Sequence, residues 1–288
     1  MSLDIFIIQL LNGLVFSLLL FLMAAGLSLI LGLMDVVNLA HGGFYLFGGY
    51  IGLTMIRWLG NFWLALLIAP LVAGALGLLL QVWFLRRLQA RHLDQVLFTF
   101  GLALIAADLM RWYWGAYVES VPPPPELAGS VLIMGRQFPV YRISLIFFGA
   151  IMAVVLMGLL DYTRIGAIVR AGVSDSELVS GLGINIDWVF IGVFVLGTGL
   201  AALAGVAAGH ITNLYPGLDF EILILALVVV VIGGLGTLRG ALLGSILVGM
   251  TETLGKAFIP EFSLFVIFAL MALVLLVRPR GLLGQKEA

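Results

Sequence analysis

The sequence predicts an all-α, polytopic membrane protein with about eight or nine transmembrane helices, one of them a candidate for a broken or re-entrant helix. The first observation is composition: of 288 residues, 63% are hydrophobic and 10% are charged, with a mean hydropathy of +1.22. Soluble domains are about 45–50% apolar and about 25% charged, so this chain lacks the charges of a water-facing surface. The second is a series of nearly charge-free runs close to the ~20 residues of a spanning helix. The third is 36 glycines, which suit closely packed membrane helices.

The same composition excludes several classes of protein. A soluble enzyme and a disordered segment do not fit the hydropathy. Lys and Arg number 14 against 15 Asp and Glu, so the chain has no basic field for nucleic acid. The absence of cysteine excludes disulfides, thiolate metal sites and a cysteine nucleophile.

Nine apolar segments follow one another along the chain, and no stretch between them is long enough for a soluble domain. Residues 1–288 are therefore interpreted as a single transmembrane domain. The first segment is much longer than the apolar region of a signal peptide and no basic residues precede it, so we expect a retained helix. The segments are 5–34, 36–56, 62–85, 95–114, 143–160, 188–208, 222–238, 241–257 and 262–277.

The second segment is the candidate for the broken or re-entrant helix. It contains Asn38, His41, Gly42 and Gly43, and a break at bilayer depth is tolerated only where protein or water covers the backbone. With this segment as a span the N-terminus is external, and without it the N-terminus is cytoplasmic. The polar side chains either satisfy free backbone groups or line a path; our hypothesis is that these four residues border a translocation path. A lone histidine gives no reason to expect a metal.

Basic residues indicate the orientation, because cytoplasmic loops are enriched in Lys and Arg. The clusters at 86–91 and 164–170 and the C-terminal tail predict cytoplasmic loops, which makes the proline-rich loop 117–142 external. Its four consecutive prolines favour a stiff spacer, with a docking surface as the alternative. Four basic residues fall on the external side against the rule: Arg57, Arg136, Arg142 and Lys256.

Polar residues inside apolar segments are functional candidates by default, each with a structural alternative. Asp108 with Arg111, and Glu252 with Lys256, have helical spacing and are expected to be structural ion pairs. The polar stretch 210–221 is a solvated loop, with an outer gate or a contact with a delivery protein as the alternative. The glycine cluster at 233–240 lacks the lysine of a P-loop, so it predicts a tight turn between packed helices and no ATP site.

The loop 161–187 is the most informative polar stretch. Ser174 and Glu177 fit a capping box, with Ser174 as the N-cap. Leu178 and Leu182 follow at helical spacing, and Gly183 occupies the C-terminal cap position. The pattern predicts an amphipathic helix of about two turns outside the bilayer. Such a helix is not stable alone in water. It either docks into a partner protein or rests on the membrane surface.

Three stretches carry a resemblance that covers nearly the whole chain: 26–50 (GLSLILGLMDVVNLAHGGFYLFGGY), 168–186 (IVRAGVSDSELVSGLGINI) and 231–249 (VIGGLGTLRGALLGSILVG). In these the chain resembles the LivH-type permease subunits of branched-chain amino acid ABC importers. The resemblance implies a cell (inner) membrane protein of a bacterium or archaeon. The partners it implies are two ATP-binding subunits, a second permease subunit (LivM-like, or a second copy) and a periplasmic or extracellular solute-binding protein.

The resemblance also implies roles for residues. The stretch from Ser174 to Gly183 falls where the family's ATPase-coupling helix lies, so coupling is expected to involve Ser174, Glu177, Leu178, Leu182 and Gly183. The chain itself is then not an enzyme, and we expect no catalytic residue and no cofactor. Alternatives are a urea or short-chain amide permease of the same family and an ion-coupled secondary transporter. An intramembrane enzyme is the remaining alternative.

Overall fold

The structure is a computed structural model that describes residues 3–34, 36–88 and 91–284, without the side chains of residues 33, 173, 174, 176 and 177. Lys286, which contributed to the predicted cytoplasmic tail, lies outside the described residues. The described part is nearly all helical. Its α-helices are α1 (Leu3–Met34), α2 (His41–Leu59), α3 (Phe62–Trp83), α4 (His92–Trp114), α5 (Val140–Tyr162), α6 (Arg164–Ser174), α7 (Ser176–Gly181), α8 (Ile186–Ala208), α9 (Leu218–Gly233), α10 (Leu238–Phe258) and α11 (Ser263–Val277).

Each of the nine apolar segments forms one helix, but the number of membrane spans predicted from them is not confirmed. By length and hydropathy, six helices of the described chain qualify as spans, and the pair α9–α10, bent by 120° at its break, raises this number to at most seven. The helix α9 has only 16 residues. The helix α2 is not among the six because its glycines, His41 and Arg57 lower its hydropathy.

The helices α1 and α8 form the centre of the molecule. Residues 17–30 of α1 are all buried, as is most of the C-terminal half of α8. The helices α3, α4, α5 and α11 surround them and expose large apolar side chains such as Leu67, Ile105 and Leu276. An apolar outer surface of this kind requires a lipid environment, because water would not solvate it.

The helix α2 crosses α8 at very close range. A Cβ atom added to Gly205 would lie 1.9 Å from the carbonyl oxygen of Tyr45, and one added to Gly48 would lie 2.3 Å from the Cα of Ala202. The two backbones therefore touch, as small residues allow in membrane helix pairs. This crossing holds α2 inside the bundle.

Ion pairs and backbone contacts divide the loops between two ends of the molecule. At one end, which we call the arginine side, Arg86 pairs with Asp187, and Arg239 pairs with Asp161 at 2.6 Å. The segment 281–284 joins them there, since Leu283 N donates to the Gly233 carbonyl at 3.0 Å. The three arginine-rich regions therefore share one side, as the sequence predicts.

The opposite end, the proline side, holds the 115–139 loop and the start of α1. Asp4 pairs with Arg136, and Arg57 pairs with Glu119 at 2.6 Å. The N-terminal end of α1 therefore lies on the side of the proline-rich loop. The nine-segment alternative predicted this placement.

The proline-rich loop is shorter and more ordered than predicted. It ends at Pro139 instead of residue 142, because α5 begins at Val140. Pro124 is extended (φ −61°, ψ 142°), as expected for consecutive prolines. An antiparallel hairpin of β1 (Ser130–Ile133) and β2 (Arg136–Pro139) then follows, which the sequence analysis missed. Its turn residues, Met134 and Gly135, both have positive φ, which matches the twist of a two-residue hairpin.

Candidate functional site

The break between α1 and α2 is covered by protein. Thr99 of α4 accepts a hydrogen bond from Leu39 N at 3.2 Å and has its hydroxyl 3.3 Å from the Val37 carbonyl. The side-chain oxygen of Asn38 accepts from Ala40 N at 3.0 Å. These contacts satisfy backbone groups that lipid could not satisfy. The predicted break is therefore present at residues 36–40, and a helix of the same chain shields it. His41, Gly42 and Gly43, which the sequence analysis placed in the break, instead form the start of the continuous helix α2.

Asn38 and His41 lie entirely inside the molecule, with exposed fractions of 1% and 0%. The Nε2 of His41 donates to the Met23 carbonyl at 3.2 Å, which leaves Nδ1 without a hydrogen. Within the described part of the chain, His41 Nδ1 and Asn38 Nδ2 have no hydrogen-bond partner. Asn38 thus satisfies a backbone group of the break, whereas His41 ties the start of α2 to the middle of α1. Each side chain keeps one polar atom without a hydrogen-bond partner among the described residues.

Gly42 and Gly43 face different neighbours. A Cβ atom on Gly42 would lie 2.1 Å from the Asp219 carbonyl oxygen, so α2 begins in direct contact with the first turn of α9. Gly43 faces Ala106 at 3.9 Å and borders an apolar cavity of about 540 Å³ between α2, α3 and α4. The structure therefore does not bring the four predicted path residues together in one cavity.

A second cavity, on the proline side, is larger and more polar. It has a volume of about 960 Å³ and lies between α1, α9, α10 and α11. Apolar residues such as Phe16, Ile222 and Ile267 line part of it. Its polar lining consists of Gln9, Asn12, Arg142, Thr212, Tyr215, Glu221, Glu252, Thr253, Lys256 and Ser263. We call it the polar cavity.

The polar cavity contains the predicted ion pair of α10. Lys256 Nζ lies 2.6 Å from Glu252 Oε1, with the lysine side chain 66% exposed and the glutamate side chain 5% exposed. The other oxygen, Glu252 Oε2, is buried and has no hydrogen-bond partner among the described residues. The second predicted pair is wrong: the described ion pairs do not include one between Asp108 and Arg111.

Glu221 and Arg142 are two further charged residues that line the polar cavity. Tyr215 donates a hydrogen bond to Glu221 Oε2 at 2.8 Å. Burial raises the pKa of Tyr215 to about 12, so the phenol stays protonated and remains a donor. The Arg142 guanidinium donates to the side-chain oxygen of Asn12. Because Asn12 is neutral, this bond leaves the positive charge of Arg142 uncompensated.

The sequence analysis missed this cavity as a site, although it contained a signal. Arg142 and Lys256 were two of the four basic residues that break the orientation rule, and both line the polar cavity. The other two, Arg57 and Arg136, are each neutralised by an acidic residue. Each of these four basic residues therefore either forms an ion pair or lines the polar cavity, and Lys256 does both.

On the arginine side, α6 and α7 form the loop in which the sequence predicts a single short helix. The N-cap of α7 is Asp175 and not Ser174, because α6 continues through Ser174. Asp175 Oδ1 accepts from Leu178 N at 2.8 Å. Gly183 has φ +82° just after the helix, which confirms its predicted capping position. The side chains of Ser174 and Glu177 lie outside the described part.

The apolar residues of α7 divide between two faces. Val179 is buried against the rest of the chain, whereas Leu178 and Leu182 are 60% and 71% exposed. The predicted apolar positions are therefore present, and two of them remain uncovered on a surface outside the helical bundle.

Comparison with known proteins gives relatives that match this chain over most of its length. The high-affinity branched-chain amino acid transport system permease protein LivH of Escherichia coli (strain K12) is 30% identical over 98% of this chain and 96% of its own length. The corresponding BraD protein of Pseudomonas aeruginosa is 29% identical over 97% of this chain and 96% of its own length. The LivM permease protein of Escherichia coli (strain K12) is 27% identical over 91% of this chain and 67% of its own length.

No solved structure matches the chain significantly. A family model covers most of the sequence, residues 9–275. Its description is branched-chain amino acid transport system / permease component, and this chain belongs to that family.

Proposed function

We propose that the chain is the transmembrane permease subunit of an ATP-binding cassette importer and forms the translocation path for branched-chain amino acids. The names of LivH and BraD support the transport class and the solute. The observation that carries the proposal is the pair of exposed leucines on α7. They lie on the arginine side, where a cytoplasmic motor would dock.

The need for a partner follows from the chemistry of the chain. The glycine cluster at 233–240 is not a P-loop, so ATP hydrolysis belongs to other subunits. A helix as short as α7 needs tertiary contacts, and Val179 supplies them from one face only. Leu178 and Leu182 are then free to enter a groove of the ATP-binding subunit. Ser174, Glu177 and Gly183 frame this coupling segment.

The orientation assigns the partners to the two sides. Two ATP-binding subunits bind the arginine side in the cytoplasm. A solute-binding protein delivers the amino acid to the proline side. A second permease subunit, LivM-like or a second copy, completes the path in the inner membrane of a bacterium or archaeon. The similarity to LivM, itself a permease protein of a branched-chain amino acid transport system, supports a paired permease.

The path proposed here begins in the polar cavity. Leu218 and Ile222 of α9 line that cavity, while the carbonyl of Asp219, one residue after Leu218, faces Gly42. The first turn of α9 thus separates the cavity from the break. A small movement of this turn would join the two, so that Asn38, His41, Gly42 and Gly43 border the route beyond it.

The test is uptake of radiolabelled leucine by proteoliposomes that contain this chain with its partner subunits and the solute-binding protein. We expect uptake that requires hydrolysable ATP on the arginine side and persists when ionophores collapse the ion gradients. The matched control replaces ATP by a non-hydrolysable analogue. Uptake driven by an ion gradient without ATP would contradict the proposal, and transport of urea or acetamide in place of leucine would change the solute.

A further inference from the structure

We infer that the polar cavity is a binding site for a zwitterionic amino acid with an aliphatic side chain, in which Glu252 receives the ammonium group and Arg142 the carboxylate. This inference rests on the proposed function and adds to it a site and a role for each charge. The site is separate from the break between α1 and α2 and from the predicted path residues Asn38 to Gly43.

Glu252 is the first reason. Its side chain is 5% exposed, and among the residues that the structure describes Lys256 partners one of its two carboxylate oxygens while the other has no partner. A buried carboxylate is expected to use both oxygens, because an unpaired buried polar atom is unfavourable. The free oxygen, in a residue that lines the cavity, is an acceptor for a cationic group. Charged residues in spanning helices that face a cavity commonly mark a substrate path.

Arg142 is the second reason. Its guanidinium lines the same cavity and donates to the neutral Asn12 side chain. A guanidinium has five donors, so most of them are available to a carboxylate, which it binds in a two-pronged geometry. Arg142 and Lys256 together with Glu221 and Glu252 give the lining two positive and two negative charges. Such a balanced lining suits a zwitterion better than a simple anion or cation.

The apolar part of the lining is the third reason, because it suits the aliphatic side chain of the ligand. Phe16, Ile222, Leu225 and Ile267 provide apolar surface next to the charges. A volume of about 960 Å³ lies within the usual range of small-molecule sites, with room for an amino acid and some water. An aliphatic side chain therefore has a place to lie once the charged groups are bound.

Labelling of a cavity residue tests this directly. Because the chain has no cysteine, Thr253→Cys places a single thiol in the lining while leaving every charge in place. Its alkylation is followed in the assembled complex without ATP and without the solute-binding protein. L-Leucine should slow alkylation by the factor 1 + [L]/Kd, which is about fourfold at three times Kd. Tyr117→Cys, in the exposed proline-side loop, is the control and should react at the same rate with and without leucine.

Two leucine analogues assign the charges. Isocaproate lacks the amino group and isoamylamine lacks the carboxylate, so each should protect at least about tenfold more weakly than leucine. In Glu252→Gln, leucine should lose its advantage over isocaproate. In Arg142→Gln, it should lose its advantage over isoamylamine. A purely structural role for either residue would leave these ratios unchanged. Glu119→Gln removes a proline-side carboxylate that does not line the cavity and serves as the matched control.

Failure of this inference can be told apart from failure of the proposed function. Absence of leucine protection in the Thr253→Cys complex, in a preparation that takes up leucine with ATP, overturns the binding site and leaves the importer intact. Equal protection by leucine and isocaproate in the Thr253→Cys chain with Glu252 intact overturns the role of Glu252. Leucine protection without any ATP-driven uptake overturns the importer and leaves the binding site intact.

Discussion

Gly42 and Gly43 are neighbours at the start of α2, yet their surroundings are opposite. Gly42 contacts the backbone of Asp219, and its missing side chain allows α2 and α9 to meet. A Cβ atom added to Gly43 would make only an ordinary van der Waals contact, 3.9 Å from the Cβ of Ala106, at the border of the apolar cavity. A difference of one position therefore separates a packing residue from a cavity residue.

This difference predicts the effects of two alanine substitutions. Gly42→Ala should lower the free energy of unfolding by about 1–3 kcal/mol, because the added methyl overlaps the Asp219 carbonyl oxygen. Gly43→Ala should be neutral or slightly stabilising, since alanine is the better helix former by up to about 1 kcal/mol. Thermal unfolding of the detergent-solubilised chain compares the two. Equal melting temperatures would contradict the contact between α2 and α9.

At the residue scale, some of the candidate site is readable from the sequence and some is not. The break itself follows from Asn38, His41 and the glycines after them. Its partner Thr99 does not, because nothing local links it to a loop 60 residues earlier. Likewise, the exceptions to the orientation rule point to Arg142 and Lys256, but only the packing of α5 with α1 and α10 brings these two residues to one cavity.

At the element scale, the α6–α7 segment carries the connection between the bundle and its surroundings. The side chain of Thr163 caps α6 by accepting from Gly166 N at 3.2 Å, and that of Asp175 caps α7. The caps fix where each helix starts and so fix which α7 residues face outward. Leu178 and Leu182 are exposed as a result, while Val179 anchors the helix.

The double substitution Leu178→Asp with Leu182→Asp should release the ATP-binding subunits while the chain still inserts and folds. Both side chains are exposed, so the change is expected to alter stability by no more than about 0.5 kcal/mol. Co-purification of the ATP-binding subunits and leucine-stimulated ATP hydrolysis are the measurements. Leu132→Asp, an exposed leucine on the proline-side hairpin, is the control. Normal association and uptake in the double variant would show that α7 is not the coupling helix.

Helices were predictable here for a physical reason, and the other elements were not. A long apolar run in a membrane must satisfy its own backbone, so each run becomes a helix. The hairpin at Ser130–Pro139 lies in a loop between two helices, where short strands depend on their pairing partner. The N-cap was misplaced by one residue because Ser174 and Asp175 are both good caps and the length of α6 decides between them.

At the scale of the whole molecule, the ends of the helices are held in two groups by charge pairs. The Arg86–Asp187 and Arg239–Asp161 pairs join loops on the arginine side, and the Asp4–Arg136 and Arg57–Glu119 pairs join loops on the proline side. The sequence predicts the first group from the orientation rule. It left the position of the N-terminus open, because that position depends on how α2 lies in the bundle.

Accessibility of single cysteines in intact cells tests this arrangement. Leu3→Cys and Tyr117→Cys occupy exposed positions on the proline side, and Ser180→Cys occupies an exposed position on α7. We expect a membrane-impermeant thiol reagent to label the first two from outside and to reach Ser180→Cys only in inverted vesicles. The Asp4–Arg136 pair is the physical reason, since it ties the start of α1 to the proline-side hairpin. Labelling of Tyr117→Cys without labelling of Leu3→Cys in intact cells would separate the two and contradict this placement of α1.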